Sequence, residues 1–101
     1  MAQFVKVATL SELAAGSGKC IEVGGKSIAL FNVNGTVYAT DNTCLHQGGP
    51  LGEGMLEDDV ITCPWHMWQY NVRTGENLED SLLKVETYPV RVSGDNIEVE
   101  V

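Results

Sequence analysis

Two short stretches of the chain each pair one cysteine with one histidine. Cys44 lies two residues before His46, and Cys63 lies three residues before His66. A structural zinc site usually takes both sulfurs from one knuckle and both nitrogens from another segment, whereas here each stretch offers one of each. If the two stretches face each other across a binuclear iron cluster, the two cysteines can bind one iron and the two histidines the other.

This spacing resembles that of the Rieske family of [2Fe-2S] proteins. The pattern is C-x-H, sixteen residues, then C-x2-H, with Gly48-Gly49-Pro50-Leu51 after the first pair and Pro64 inside the second. The resemblance covers nearly the whole chain. A structural zinc module and a chance set of core and surface residues are the two alternatives to it. The resemblance implies one [2Fe-2S] cluster, with these ligands: Cys44, His46, Cys63 and His66.

The charge of such a cluster suits one-electron chemistry. Two ferric ions and two sulfides carry two positive charges, two thiolates cancel them, and neutral imidazoles add nothing. One-electron reduction therefore leaves a single negative charge, whereas a cluster with four thiolates starts with two. Because less negative charge accumulates in a medium of low dielectric constant, histidine ligation raises the reduction potential.

Residues beside the ligands indicate the lower part of the Rieske potential range. Respiratory and photosynthetic members have a disulfide between the two ligand loops, where this chain has Gly49 and Trp65. They also have a hydroxyl-bearing residue shortly after the second histidine, where this chain has Met67 and Trp68. The sequence is more similar to the soluble ferredoxins that feed bacterial oxygenases. It departs from many of those at Met67, where they have glycine, and at 78–81, where they have a proline.

The composition excludes several classes of partner. Acidic residues outnumber basic ones by 14 to 6, which argues against nucleic acid and favours a basic protein partner. The chain has no run of 18 apolar residues and its first 15 residues do not look like a signal peptide, so no membrane association is expected. Three cysteines are too few for a secreted disulfide scaffold. The sequence therefore predicts a cytoplasmic monomer.

Short alternating apolar runs predict an all-β fold, a Rieske-like sandwich or partly open barrel of antiparallel strands. Strands are predicted at 4–7, 19–23, 26–33, 36–40, 60–62, 68–72, 83–92 and 97–101. Thr9 and Glu12 have capping-box spacing for one helical turn, and Cys20 is expected to be a small buried hydrophobic residue. A single domain, 1–101, is expected, with base strands at about 1–40 and 84–101 and an inserted cluster-binding unit at about 41–83.

The resemblance implies a one-electron carrier and not an enzyme. It would pass electrons from a flavin-dependent NAD(P)H reductase to a terminal oxygenase, a ring-hydroxylating dioxygenase or a related monooxygenase, through transient contacts. An oxygenase would need two further histidines and a carboxylate for a mononuclear iron, and both histidines are already used. The alternative is a Rieske-like small subunit of a larger reductase, such as NADH-dependent nitrite reductase.

A docking rim is expected around the two histidines. Trp65 could equally be a packing residue, and Trp68 is expected to pack inside the small unit. The residues of the predicted docking rim are Gln47, Pro50, Leu51, Trp65 and Met67.

Overall fold

The computed structural model of the protein describes residues 3–43, 49–65 and 67–100. Three predicted ligands, Cys44, His46 and His66, lie outside these residues, as does Gln47. Over the described ranges the chain forms strands and two short 3-10 turns, Leu10–Glu12 and Leu51–Glu53, with no α-helix. The strands in chain order are β1 (Phe4–Thr9), β2 (Gly18–Val23), β3 (Lys26–Val33), β4 (Thr36–Asp41), β5 (Met55–Glu57), β6 (Val60–Thr62), β7 (Gln69–Asn71), β8 (Thr87–Tyr88), β9 (Val90–Ser93) and β10 (Asn96–Glu100).

Within the described residues these strands form three antiparallel sheets. The first has the order β1-β10-β9, the second β2-β3-β4-β8 and the third β5-β6-β7. The sheets do not close into a barrel. This architecture confirms the all-β antiparallel prediction.

Strand β3 is buried on both faces because it lies between two hydrophobic cores. Neighbouring side chains of a strand point to opposite faces, so Ile28 and Leu30 enter one core while Ala29 and Phe31 enter the other. The base core consists of Ala8, Leu13, Ile28, Leu30, Val37, Ala39, Ile97 and Val99. The loop-side core consists of Ala29, Phe31, Leu51, Ile61, Cys63, Tyr70, Val72 and Val85. The four-stranded sheet is therefore the middle layer of the fold.

The strand predicted over 83–92 is wrong, because two shorter strands lie there in two different sheets. Strand β8 pairs with β4, whereas β9 pairs with β10. Pro89 lies between them, and a proline has no N–H to continue a strand ladder. The chain therefore crosses from one sheet to another at this residue.

The predicted helical turn at the end of β1 can be compared with the structure directly. The helical turn after Thr9 is confirmed, since the Thr9 amide donates to Glu12 Oε1 over 3.0 Å. Hydrogen bonds from the Thr9 hydroxyl and amide hold the pKa of the Glu12 carboxyl below its ordinary value.

Strand β5 was not predicted, although it pairs with β6 across a turn in which Asp58 has a φ of 52°. No helix in the described part of the chain is long and apolar enough to cross a bilayer.

Candidate metal centre

The stretch that contains Cys44 and His46 is closed at its base. Thr43 and Pro50 form an antiparallel bridge, and the Leu51 amide donates to the Asn42 carbonyl over 2.7 Å. The chain therefore leaves and re-enters the body of the protein at nearly one point. We call residues 44–49 the first loop; residues 44–48 lie outside the described part.

The stretch that contains Cys63 and His66 is the end of a hairpin. Strands β6 and β7 pair as far as Thr62 and Gln69, and the Cys63 amide then donates to the Trp68 carbonyl over 2.7 Å. We call residues 63–68 the second loop. Its ends are fixed by the strand ladder, so Cys63 is placed at the point where the hairpin begins to turn.

Cys63 is the predicted ligand that the structure describes. Its side chain is fully buried in the loop-side core. A thiolate among apolar neighbours is costly unless a positive charge compensates it, and a bound metal ion provides that charge. Because this core also keeps water from the sulfur, the chemistry of the position fits an iron ligand better than a reactive surface thiol.

The two loops meet where Gly49 contacts Cys63. A β-carbon added to Gly49 would lie 2.8 Å from Cys63 Sγ and 3.0 Å from Trp65 Cγ. Only glycine lets the first loop approach the sulfur this closely. The described residues thus fit a cofactor shared between the loops, since they bring the first loop into contact with the predicted ligand of the second.

Gly49 and Trp65, which occupy the positions of the disulfide in respiratory Rieske proteins, are also neighbours. A β-carbon at Gly49 would lie 3.1 Å from Trp65 Cβ, slightly closer than the roughly 3.5–4.5 Å of cysteines joined in a disulfide. Trp65 therefore packs against the first loop where respiratory members of the Rieske family have a covalent link.

The predicted docking rim is only partly exposed. Trp65 is 50% exposed, Met67 is 67% exposed and Pro50 is partly exposed. The prediction for Leu51 is wrong, because its side chain is fully buried in the loop-side core and no partner could touch it. Trp68 packs against that core, as expected.

A third loop, residues 78–81, follows the hairpin and contains no proline. The Asn77 side chain is buried, and its Oδ1 accepts the amides of Glu79 at 2.8 Å and Asp80 at 3.1 Å. The Leu78 amide donates to the Gln69 carbonyl over 3.0 Å, which ties the loop to β7. Side-chain hydrogen bonds hold this loop where many soluble members have a proline.

Sequence reasoning missed Asn42, which lies two residues before Cys44. It is buried, and Cys20 donates its Sγ–H to Asn42 Oδ1 over 3.2 Å. Cys20 is half-buried and hydrogen-bonded, and so is not the simple hydrophobic residue that was expected. Burial is the main reason that the pKa of the Cys20 thiol is raised. The signal in the sequence was an asparagine just after a strand, two residues before the first predicted ligand.

The negative charge is concentrated in one part of the sequence. Residues 41–83 contain eight of the 14 acidic residues and one of the six basic residues, which is a net charge of −7. The remainder contains six acidic and five basic residues, a net charge of −1. The segment that contains both loops therefore accounts for nearly all of the −8.

Comparison with known proteins identifies the family of the chain. The chain belongs to the Rieske-like [2Fe-2S] domain family, whose model matches residues 3–100. It is 35% identical to the ferredoxin component of the naphthalene 1,2-dioxygenase/salicylate 5-hydroxylase systems of Ralstonia sp., over 97% of this chain and 95% of that protein. It is also 35% identical to the biphenyl 2,3-dioxygenase ferredoxin component of Rhodococcus jostii (strain RHA1), over 95% of this chain and 91% of that one.

Solved structures of ferredoxin components are similar to this chain in sequence and in fold. The ferredoxin of carbazole 1,9a-dioxygenase from Nocardioides aromaticivorans IC177 is 34% identical, with a TM-score of 0.87 over 96% of both chains. A chain from a complex of oxygenase and ferredoxin of carbazole 1,9a-dioxygenase is 32% identical, with a TM-score of 0.86 over 95% of this chain and 91% of that one. A putative nitrite reductase small subunit from Mycobacterium tuberculosis, 23% identical with a TM-score of 0.91 over 100% of this chain and 96% of that one, shares the fold. The protein is thus an electron-transfer component with one [2Fe-2S] cluster and not an enzyme in itself.

Proposed function

We propose that this protein carries single electrons from a flavin-dependent NAD(P)H reductase to a terminal oxygenase, either a ring-hydroxylating dioxygenase or a related monooxygenase. The observation that carries the proposal is the similarity to ferredoxin components of dioxygenase systems over nearly the full length of both chains. A similar chain is known in a complex of oxygenase and ferredoxin. A fixed small subunit of nitrite reductase is the second candidate, supported by a shared fold alone.

The proposed ligands are Cys44 and Cys63 on one iron and His46 and His66 on the other. When bound, the cluster supplies a one-electron couple. The burial of Cys63 in the loop-side core supports this assignment, as does the contact of the first loop with its sulfur. Residues 41–83 then form the cluster-binding unit on base strands from 1–40 and 84–101. The position of the small β5-β6-β7 sheet within that segment supports this division.

The proposed docking rim comprises Gln47, Pro50, Trp65 and Met67. The exposed apolar surfaces of Trp65 and Met67 lie on the loop that would hold His66. A rim of so few residues buries little surface, so complexes should be weak and brief, as a carrier that meets two partners requires. The protein needs no second copy for this task, which supports a monomer.

Long-range attraction would come from the acidic segment. The net charge of −7 over 41–83 favours approach to basic surfaces with the cluster-binding unit leading. The contact itself would be apolar, so charge would act on the association rate more than on the lifetime of the complex. A cytoplasmic location is proposed because the reductase draws on NAD(P)H.

The proposal can be tested by following electrons in a reconstituted system. The purified protein would be mixed with NADH and the flavin-dependent reductase of a naphthalene dioxygenase system, and then with the terminal oxygenase, naphthalene and O2. We expect two protein molecules to be reduced per NADH, and sustained consumption of NADH only when the oxygenase, naphthalene and O2 are all present. Rates should fall with added salt.

Two results would contradict the proposal. Failure to reduce oxygenases of several substrate classes, together with copurification with a large reductase at high salt, would favour the fixed subunit. Oxidation of an organic substrate by the isolated protein would overturn the carrier assignment.

A further inference from the structure

We propose that Asn42 is the positioning residue that sets the geometry of the first loop for cluster binding. The inference rests on the proposed assignment of Cys44 and His46 as ligands. Asn42 does not touch the cofactor site directly within the described residues. It acts through the two chain segments that enter and leave the loop.

The backbone of Asn42 joins the loop to the middle sheet. Its amide donates to the Ser27 carbonyl of β3 over 3.0 Å, and its carbonyl accepts the Leu51 amide over 2.7 Å. The segment entering the loop is therefore attached both to β3 and to the segment leaving it. These bonds lie immediately beside the Thr43–Pro50 bridge.

The side chain of Asn42 repeats this connection with different atoms. Its Oδ1 accepts the Gly52 amide at 2.8 Å and the Cys20 thiol at 3.2 Å, and its Nδ2 donates to Ser27 Oγ over 3.2 Å. Asn42 is only 8% exposed. A single buried amide thus fixes the returning 3-10 turn against both β2 and β3.

The surroundings are shaped to keep the Gly52 contact short. A β-carbon added to Gly52 would lie 2.7 Å from Cys20 Sγ and 2.9 Å from the backbone carbon of Lys19. Any side chain at this position would push the turn away from β2 and lengthen its hydrogen bond to Asn42. The close approach of backbone to strand is therefore part of the same arrangement.

The physical consequence is preorganisation of the loop. A loop with free ends would lose more conformational entropy when its ligands bind than a loop whose ends are already fixed. Asn42 lies two residues before Cys44 and is bonded to Leu51 and Gly52 on the returning side, so it fixes both ends of the loop. Removing its side chain would also leave the Gly52 amide buried without its acceptor, so the returning turn would shift to find water or another partner.

The experiment compares two buried asparagines in the holoprotein. Asn32 is 6% exposed, its Nδ2 donates to the Leu13 carbonyl over 2.9 Å and its Oδ1 accepts the Gly35 amide at 2.8 Å. It closes a turn of the base strands and is a matched control. Asn42→Ala and Asn32→Ala should both lower the thermal midpoint.

Only the first variant should change the cluster. Well below the midpoint, Asn42→Ala should release iron to a chelator about tenfold faster or more, as loss of outer-shell support commonly does, and its EPR g-values in the reduced state should shift. Asn32→Ala should keep the wild-type g-values and release rate. If Asn42→Ala also keeps both while losing stability, the residue is merely structural and the inference is overturned.

Two further variants separate the possible failures. If Asn42→Ala does not fold, Ser27→Ala removes only the hydroxyl that Nδ2 meets, and it should show a smaller change of the same kind. Wild-type g-values and iron release in Ser27→Ala would then overturn the inference. Cys44→Ser tests the ligand assignment itself: a full and spectroscopically unchanged cluster in that variant would refute the ligands, and with them the role of Asn42. A lost cluster would leave Asn42 to be decided by its own variants.

Discussion

The backbone of Gly49 lies directly against the sulfur of Cys63, so that a β-carbon at position 49 would be 2.8 Å from Sγ. The sulfur belongs to a fully buried side chain in the loop-side core. It cannot move aside without displacing its core neighbours, because such cores are close-packed. This contact joins the two loops that contain the predicted cluster ligands.

Gly49→Ala is therefore expected to weaken the cluster. The added methyl group overpacks the contact, at a cost of about 1–3 kcal/mol, and forces the loops apart. Iron and labile sulfide should fall clearly below two each per chain in an anaerobic preparation. Gly94→Ala is the control, since the added carbon meets nothing within 4 Å and the strain arises only from a φ of 63°. Equal iron content in the two variants would contradict this prediction.

Met67 is a non-glycine residue in the left-handed region, with a φ of 61°. That conformation destabilises the folded state by about 1–2 kcal/mol when the residue has a β-carbon. Glycine removes this strain, but it loses more conformational entropy on folding, which offsets about 0.5–1 kcal/mol of the gain. Met67→Gly should therefore raise the thermal midpoint by a few degrees. Met67→Ala removes the same exposed side chain but keeps the β-carbon, so its midpoint should stay near that of the wild type.

The same pair of variants tests the docking rim. Both remove the apolar side chain, so both should weaken binding to the terminal oxygenase to a similar extent at any salt concentration. Binding is measured by titration of the oxygenase with the oxidised protein. Loss of binding in only one of the two variants would show that backbone conformation, and not the side chain, matters to the partner.

Tyr88 should make stability fall at high pH. Its hydroxyl donates to Asp41 Oδ1 over 2.6 Å, and burial, followed by this hydrogen bond, raises the pKa of the phenol well above its ordinary value of about 10. The folded protein keeps the proton while the unfolded chain loses it, so the stabilisation is present below about pH 10 and is lost above it.

The test is Tyr88→Phe, followed by denaturant unfolding from neutral pH to about pH 11. Near neutral pH the variant should be less stable by about 1 kcal/mol, because it lacks the hydrogen bond. Above about pH 10 its stability should fall less steeply than that of the wild type, and the two curves should converge. Curves that stay parallel would show that Tyr88 does not titrate differently in the two states.

The acidic tip between β5 and β6 should steer association. Glu57→Gln with Asp58→Asn removes two charges there, and asparagine tolerates the φ of 52° at position 58. The association rate with the oxygenase should drop roughly twofold to fivefold at low salt and be unchanged at high salt. Asp59 is left intact because it pairs with Arg73 at 3.8 Å.

A matched pair of changes outside the acidic segment is the control for this effect. Glu22→Gln with Glu86→Gln also removes two exposed acidic charges, but outside residues 41–83. For this pair, stopped-flow measurements of oxygenase reduction at low salt should give an association rate close to that of the wild type. Equal slowing in both double variants would mean that total charge, and not its placement, governs the encounter.

Much of the β-structure could be predicted because its signals are local. The bounds of β3 follow from an apolar run between two turns, and the turn after Thr9 follows from its capping spacing. The burial of Leu51 could not be predicted, because the residue lies among glycines and a proline that resemble an exposed loop. Its side chain is buried only because the turn Leu51–Glu53 packs on β2 and β3.

At the candidate site too, local spacing predicts some residues, whereas others depend on contacts between distant parts of the chain. The ligand set was predicted from spacing, and it stays a prediction for all four residues, of which the structure describes only Cys63. The role inferred for Asn42 depends on contacts with Cys20, Ser27 and Gly52, which are distant in sequence. No local pattern encodes such a network, so only the folded arrangement reveals it.

The burial of β3 on both faces has a consequence for the protein before it acquires iron. Metal binding contributes to the folding of the loops that hold it, so a chain without the cluster would loosen on the side of Ala29 and Phe31 while Ile28 and Leu30 stay packed. One face of the middle sheet would then be a bare apolar surface, and such surfaces adhere to one another. This chain is therefore expected to aggregate in iron-starved cells. The fraction of it that stays soluble would measure how promptly the cluster is inserted.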